Sequence, residues 1–136
     1  LLNLKTTTMN YYTSKTITGE YQAVIDQVTT GLKEIGFGVL TTIDVRKTLK
    51  EKIDVDFKPY VILGACNPHF ASKALLLEDK LGVLLPCNVL VIDQGDGLIE
   101  VAAMDASAMI GALGNEKLTN LALEVSQRME KMISSL

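Results

Sequence analysis

The stretch from Lys58 to Ile92, KPYVILGACNPHFASKALLLEDKLGVLLPCNVLVI, leaves few folds open. Tyr60–Ala65 is a short, unbroken apolar run of the kind that fills a strand at the centre of a sheet. Gly64 within it marks a bulge or a close approach of backbone. Asn67 then Pro68 is the favoured order at a helix start: an N-cap acceptor, then a residue with no N–H to leave unbonded. A helix is therefore expected over about Pro68–Glu78, with Ala71, Ala74, Leu75 and Leu77 inward and Gly82 beyond its end. Val83–Ile92 is expected as the next strand, where Pro86 demands an edge position, a bulge or an interruption. The stretch also holds both cysteines, the only histidine and every proline of the chain. Two mirrored tripeptides mark its ends, Cys66-Asn67-Pro68 and Pro86-Cys87-Asn88.

The flanking segments supply partners for these strands. Tyr11–Thr18 is rich in aromatic and β-branched residues and reads as the first strand. Tyr21, Val24, Ile25, Val28, Leu32 and Ile35 form one apolar stripe at the helical period, closed by Gly36 where a left-handed C-cap belongs. Phe37–Ile43 reads as a strand with Phe37, Val39, Thr41 and Ile43 on one face, and Asp44 as the N-cap of a short helix carrying Val45, Leu49 and Ile53. Asp93–Gly97 is a turn leading to Leu98–Met104, expected to form a hairpin with the strand before it. Asp105 caps a helical turn. From about Asn115 to Ser134 a last helix carries Leu118, Leu121, Ala122, Val125, Met129, Met132 and Ile133 as a core-facing stripe, which Leu136 continues. The expected architecture is one α+β domain over residues 11–136, its first and last helices packed on one face of a mostly antiparallel sheet.

Composition narrows the function. A chain of 136 residues suits a single domain, and an apolar share of 48% is a globular value. The net charge of −3 argues against a nucleic-acid surface, which needs clustered cations. The basic residues Arg46, Lys47, Lys50 and Lys52 alternate with Glu51 and Asp54 and read as a solvated helix face. The apolar run Leu81–Ile92, broken by Gly82, Pro86 and Asn88, is too short to span a bilayer, which takes ~20 residues. Leu1–Thr8 lacks the features of an export signal. Residues 1–10 are expected as a flexible extension, with Met9 a candidate start, and the protein is expected in the cytoplasm with both cysteines as thiols.

Gly36-Phe37-Gly38-Val39-Leu40, Thr48-Leu49-Lys50-Glu51-Lys52, Leu63-Gly64-Ala65-Cys66-Asn67-Pro68 and Leu84-Leu85-Pro86-Cys87-Asn88-Val89 together resemble DUF302, a bacterial and archaeal domain of unknown function. The resemblance covers about Tyr12 to Met132. It implies a two-layer β-α-β4-α fold and a homodimer, and it implies no reaction.

The two motifs hold the candidate site. Cys66 stands before a helix N-terminus, where free N–H groups and the helix dipole favour a thiolate nucleophile. Cys87 is its candidate resolving partner. Asn67, His69 and Asn88 are candidate ligand-binding residues. Asn67 and Asn88, with the helix N-terminus, suit a small molecule or an anion such as a carboxylate or phosphate, and Asn88 in an apolar strand needs a polar partner. Cys66, His69 and Cys87 give only three ligands, so no metal is expected, and no cofactor is specified. The expected function is a dimeric protein that binds a small ligand or does thiol redox work through Cys66 and Cys87. The alternatives are an enzyme with Cys66 as nucleophile and a structural module without catalysis.

Overall fold

A computed structural model describes residues 7–8 and 11–136. The flexible extension expected over residues 1–10 lies outside the described residues, except for Thr7–Thr8, and so does Met9. The strands are β1 (Thr7–Thr8), β2 (Tyr12–Thr18), β3 (Gly38–Asp44), β4 (Tyr60–Cys66), β5 (Cys87–Gly95) and β6 (Leu98–Met104). The helices are α1 (Tyr21–Glu34), α2 (Val45–Ile53), α3 (Pro68–Leu77), α4 (Ala106–Ile110) and α5 (Glu116–Ser134). The sheet runs β1-β2-β6-β5-β4-β3, and every neighbouring pair is antiparallel.

This order makes β2 and β3 parallel to each other, with three strands between them. The chain therefore leaves β2, crosses the sheet as α1 and enters β3 on the far side. Crossing four inter-strand gaps takes roughly 19 Å, and a helix of 14 residues spans about 21 Å. The helix crosses on the core side because its apolar stripe has to leave water. Val24, Val28 and Leu32 are buried, as the period requires. Glu20 caps the start, its carboxylate accepting from the Gln22 and Ala23 N–H groups. Gly36 ends the helix region with φ at +88°, in the left-handed region that favours glycine.

The last helix lies beside the first. Leu118, Ala122, Val125, Met129, Met132 and Ile133 of α5 are buried against the sheet's core face, which carries Leu63, Val89, Val91, Ile99 and Val101. Burying each such large apolar side chain contributes roughly 1.5–3 kcal/mol, so packing outweighs the intrinsic helix preference of any one residue. Asp105 caps α4 through the Ser107 and Ala108 N–H groups and also accepts from the Ser126 hydroxyl at 2.7 Å, which ties α4 to α5. Burial raises the pKa of Asp105, but the Ser107 and Ser126 hydroxyls and two backbone N–H groups outweigh it and hold the carboxyl below its ordinary range.

Two sequence expectations need correction. The strand expected from Val83 begins at Cys87; residues 79–84 form a 3-10 helix that leaves Val83 exposed. Pro86 therefore precedes the central strand and never enters its ladder. In β3 the expected alternation breaks at a register shift between Val39 and Thr41, opposite Ala65 and Gly64. The residue between them, Leu40, is exposed, as an unpaired bulge residue on an edge strand can be.

Candidate functional site

The ends of β4 and β5, the start of α3 and the N-terminal half of α5 line a half-open cavity of about 360 Å³. Its walls are almost wholly apolar: Phe37, Phe70, Ala74, Leu81, Leu118 and Ala122 are among them, together with Cys66, Cys87 and Asn67. The hollow arises because α3 and α5 face each other there through alanines, Ala71 and Ala74 on one side and Ala122 on the other. A cavity of ~150 Å³ lined by aliphatic and aromatic side chains stays dry and takes up benzene. This one is in the size range of small-molecule sites, ~300–1,000 Å³.

The expected site residues divide between the two faces of the sheet. Ala65 pairs with Cys87, and Gly64 with Asn88. Side chains alternate along a strand, so consecutive Cys87 and Asn88 point to opposite faces. Cys87 joins the core and borders the cavity, whereas Asn88 is exposed on the face opposite α1 and α5, beside Leu90 and Tyr12. Solvent exposure removes the need for a buried partner at Asn88. His69 is exposed on the first turn of α3 and does not border the cavity. Among the described residues no three His, Cys, Asp or Glu side chains gather to hold a metal ion.

Asn67 is the structural centre of the site. Its Oδ1 accepts from the His69 N–H at 3.0 Å and from the Phe70 N–H at 3.2 Å. The Ala71 N–H donates to the Asn67 carbonyl, and Pro68 has no N–H. The first turn of α3 thus has no free donor left for the anion expected there. Arg128, on α5, stacks its guanidinium 5.0 Å from the centre of the Phe70 ring and donates from Nη1 to the Ile35 carbonyl at 3.0 Å. One side chain thereby joins α5, the end of α1 and the start of α3, with the cation–π contact contributing about 0.5–1 kcal/mol.

Both cysteines are free. Burial, and secondarily the neighbouring Cys66, pushes the Cys87 thiol up to about 11. A raised value means that the unfolded chain ionises first as pH rises, so stability present below about pH 9 is lost toward pH 11. Two units correspond to about 2–3 kcal/mol. We expect wild type to lose that much more stability than Cys87→Ala between pH 8 and 11, measured by urea unfolding. Parallel pH curves for the two proteins would show that Cys87 is not held as a buried thiol.

Sequence reasoning missed Phe70 and Arg128 at the site, and it placed Leu81 only in an apolar run and Ala122 in the core-facing stripe of the last helix. The usable signal was the small residues at Ala71, Ala74 and Ala122, each at a position facing inward. Arg128 carries no such signal, because a charged residue on the polar side of an amphipathic helix reads as solvated.

The geometry defines a small two-layer α+β domain with an apolar cavity at one end of its sheet. The model of the family described as "Domain of unknown function DUF302" matches residues 13–136, and the chain belongs to that family. The chain is similar to an uncharacterized conserved DUF302 protein from Bacillus stearothermophilus known from its crystal structure. The two share 28% identity with a TM-score of 0.82, over 90% of this chain and 94% of that one. A comparison with curated proteins gave no match. Among the described residues no helix is long and apolar enough to cross a membrane.

Proposed function

We propose that this protein binds a small apolar molecule in the cavity between α3, α5 and the ends of β4 and β5. The observation that carries this is a half-open pocket of about 360 Å³ whose lining is almost wholly apolar. Apolar surface left facing water is unfavourable. A ligand would cover it. Binding is favoured over thiol redox work because Cys87 stays protonated at neutral pH, and a protonated thiol neither attacks nor leaves readily. The paired thiols are in keeping with a reducing cytoplasm.

By proportion with the cavity that holds benzene, this one accommodates roughly ten to fifteen non-hydrogen atoms. Titration with benzene, naphthalene and benzylcyclohexane, followed by calorimetry, tests the proposal. Affinity is expected to rise at least tenfold from benzene to naphthalene as apolar area is buried, to hold or rise for benzylcyclohexane, and to collapse for a steroid-sized hydrocarbon. Equal, non-saturating uptake of all of them would contradict it.

The homodimer implied by the family resemblance is a separate proposal. Its support is the sheet face opposite α1 and α5, where Tyr11, Tyr12, Leu90, Ile92, Met104 and Met109 line a second hollow that a second copy would cover. Sedimentation equilibrium giving a monomer at micromolar concentration would remove it.

A further inference from the structure

Asn67 is 7% exposed, and it is the only buried polar side chain among the described residues that borders the cavity. Its Oδ1 accepts two N–H groups in capping α3, whereas its Nδ2 donates to no acceptor among the described residues. Among the described residues no side-chain nitrogen or oxygen sealed from the surface lacks a partner, so Nδ2 adjoins reachable space. On its other side lies Gly36, where even a Cβ would stand 2.9 Å from Nδ2, and beyond that the Arg128 guanidinium, itself a donor. On that side the Ile35 carbonyl accepts from Arg128, and among the described residues it takes no hydrogen bond from Nδ2.

Helix capping alone does not call for this arrangement. Asp would accept the same two N–H groups and leave no donor behind. We propose that the cavity's ligand is an uncharged apolar molecule bearing one hydrogen-bond-accepting oxygen, such as a ketone or ester carbonyl, which receives the free N–H of Asn67 Nδ2. A carboxylate is excluded from this role because one neutral donor in an apolar chamber does not compensate for the loss of an ion's hydration. The inference rests on the cavity being a binding site and adds where the ligand's polar atom goes.

The test uses two probes of nearly the same shape, benzylcyclohexane and cyclohexyl phenyl ketone, titrated calorimetrically into the whole protein. The ketone is expected to bind wild type roughly tenfold more tightly than the hydrocarbon, the scale of one net hydrogen bond. In Asn67→Asp the cap acceptor remains and the donor is gone, so the preference should vanish while the hydrocarbon still binds. Asn67→Gly, a tolerated N-cap residue with no side-chain donor, serves as the second variant should the aspartate disturb folding. Equal affinity of wild type for both probes overturns the inference and leaves the cavity proposal standing, as does a ketone preference that survives in both folded variants. Binding of neither probe defeats the cavity proposal and this inference with it.

Discussion

Gly64→Val is expected to destabilise the protein by about 3 kcal/mol or more, the scale of severe overpacking. Gly64 is in β4, an inner strand, opposite Thr41 at the bulge in β3 and Asn88 in β5. A Cβ there would collide with the Thr41 hydroxyl and would approach the Pro86 ring to 2.8 Å at Cγ. Thr41 can rotate away, but a proline ring has no such freedom, and valine adds two rigid methyl groups. Urea unfolding with an unchanged m-value would register the loss as a shift in midpoint. Thr41→Ala in the Gly64→Ala background should return part of the stability by clearing one of the two contacts. A Gly64→Val protein as stable as wild type would mean that β3, β4 and the Pro86 turn do not meet at this point.

Ala122→Phe is expected to weaken binding of benzylcyclohexane by about a hundredfold while leaving the fold intact. Ala122 is 3% exposed and faces the cavity from α5. The added ring would enter existing space, so the usual cost of overpacking does not apply in full. It would displace ligand that otherwise buries ~100 Å² of apolar surface, and at ~25 cal/mol per Å² that is about 2.5 kcal/mol, close to a hundredfold. Benzene should suffer less, because it needs only part of the chamber. Undiminished binding of the larger hydrocarbon would place its site elsewhere.

What the sequence disclosed depended on how local the signal was. The stripes of α1 and α5 were legible because a 3.6-residue period and a glycine such as Gly36 at a helix end are properties of neighbouring residues. The start of β4 and the Asn67 cap were legible for the same reason. The beginning of β5 was not, since Leu81–Ile92 is mostly apolar and carries no period to separate a 3-10 turn from a strand. Gly64 did mark a bulge or close approach, but that the bulge itself lies across the ladder at Leu40 of β3 is something no local pattern reports. The division of Cys87 from Asn88 was available in principle: adjacent residues of any strand face opposite ways. The cavity was the least legible feature. Ala71, Ala74 and Ala122 are well-suited helix residues at core positions, and only their juxtaposition across two helices turns small side chains into empty space. Asn67 as a cap was plain, but its free Nδ2 follows from three-dimensional surroundings that include Gly36 and Arg128.

The most direct test of ligand binding at this site is a methyl NMR titration of the whole protein with benzylcyclohexane. Saturable shifts are expected at Leu81, Ile110, Leu118 and Val125, which border the cavity, with Leu90 and Ile92 on the opposite sheet face unmoved. Shifts confined to Leu90, Ile92 and Met104, or linear drifts without saturation, would contradict the proposal that this cavity is the binding site.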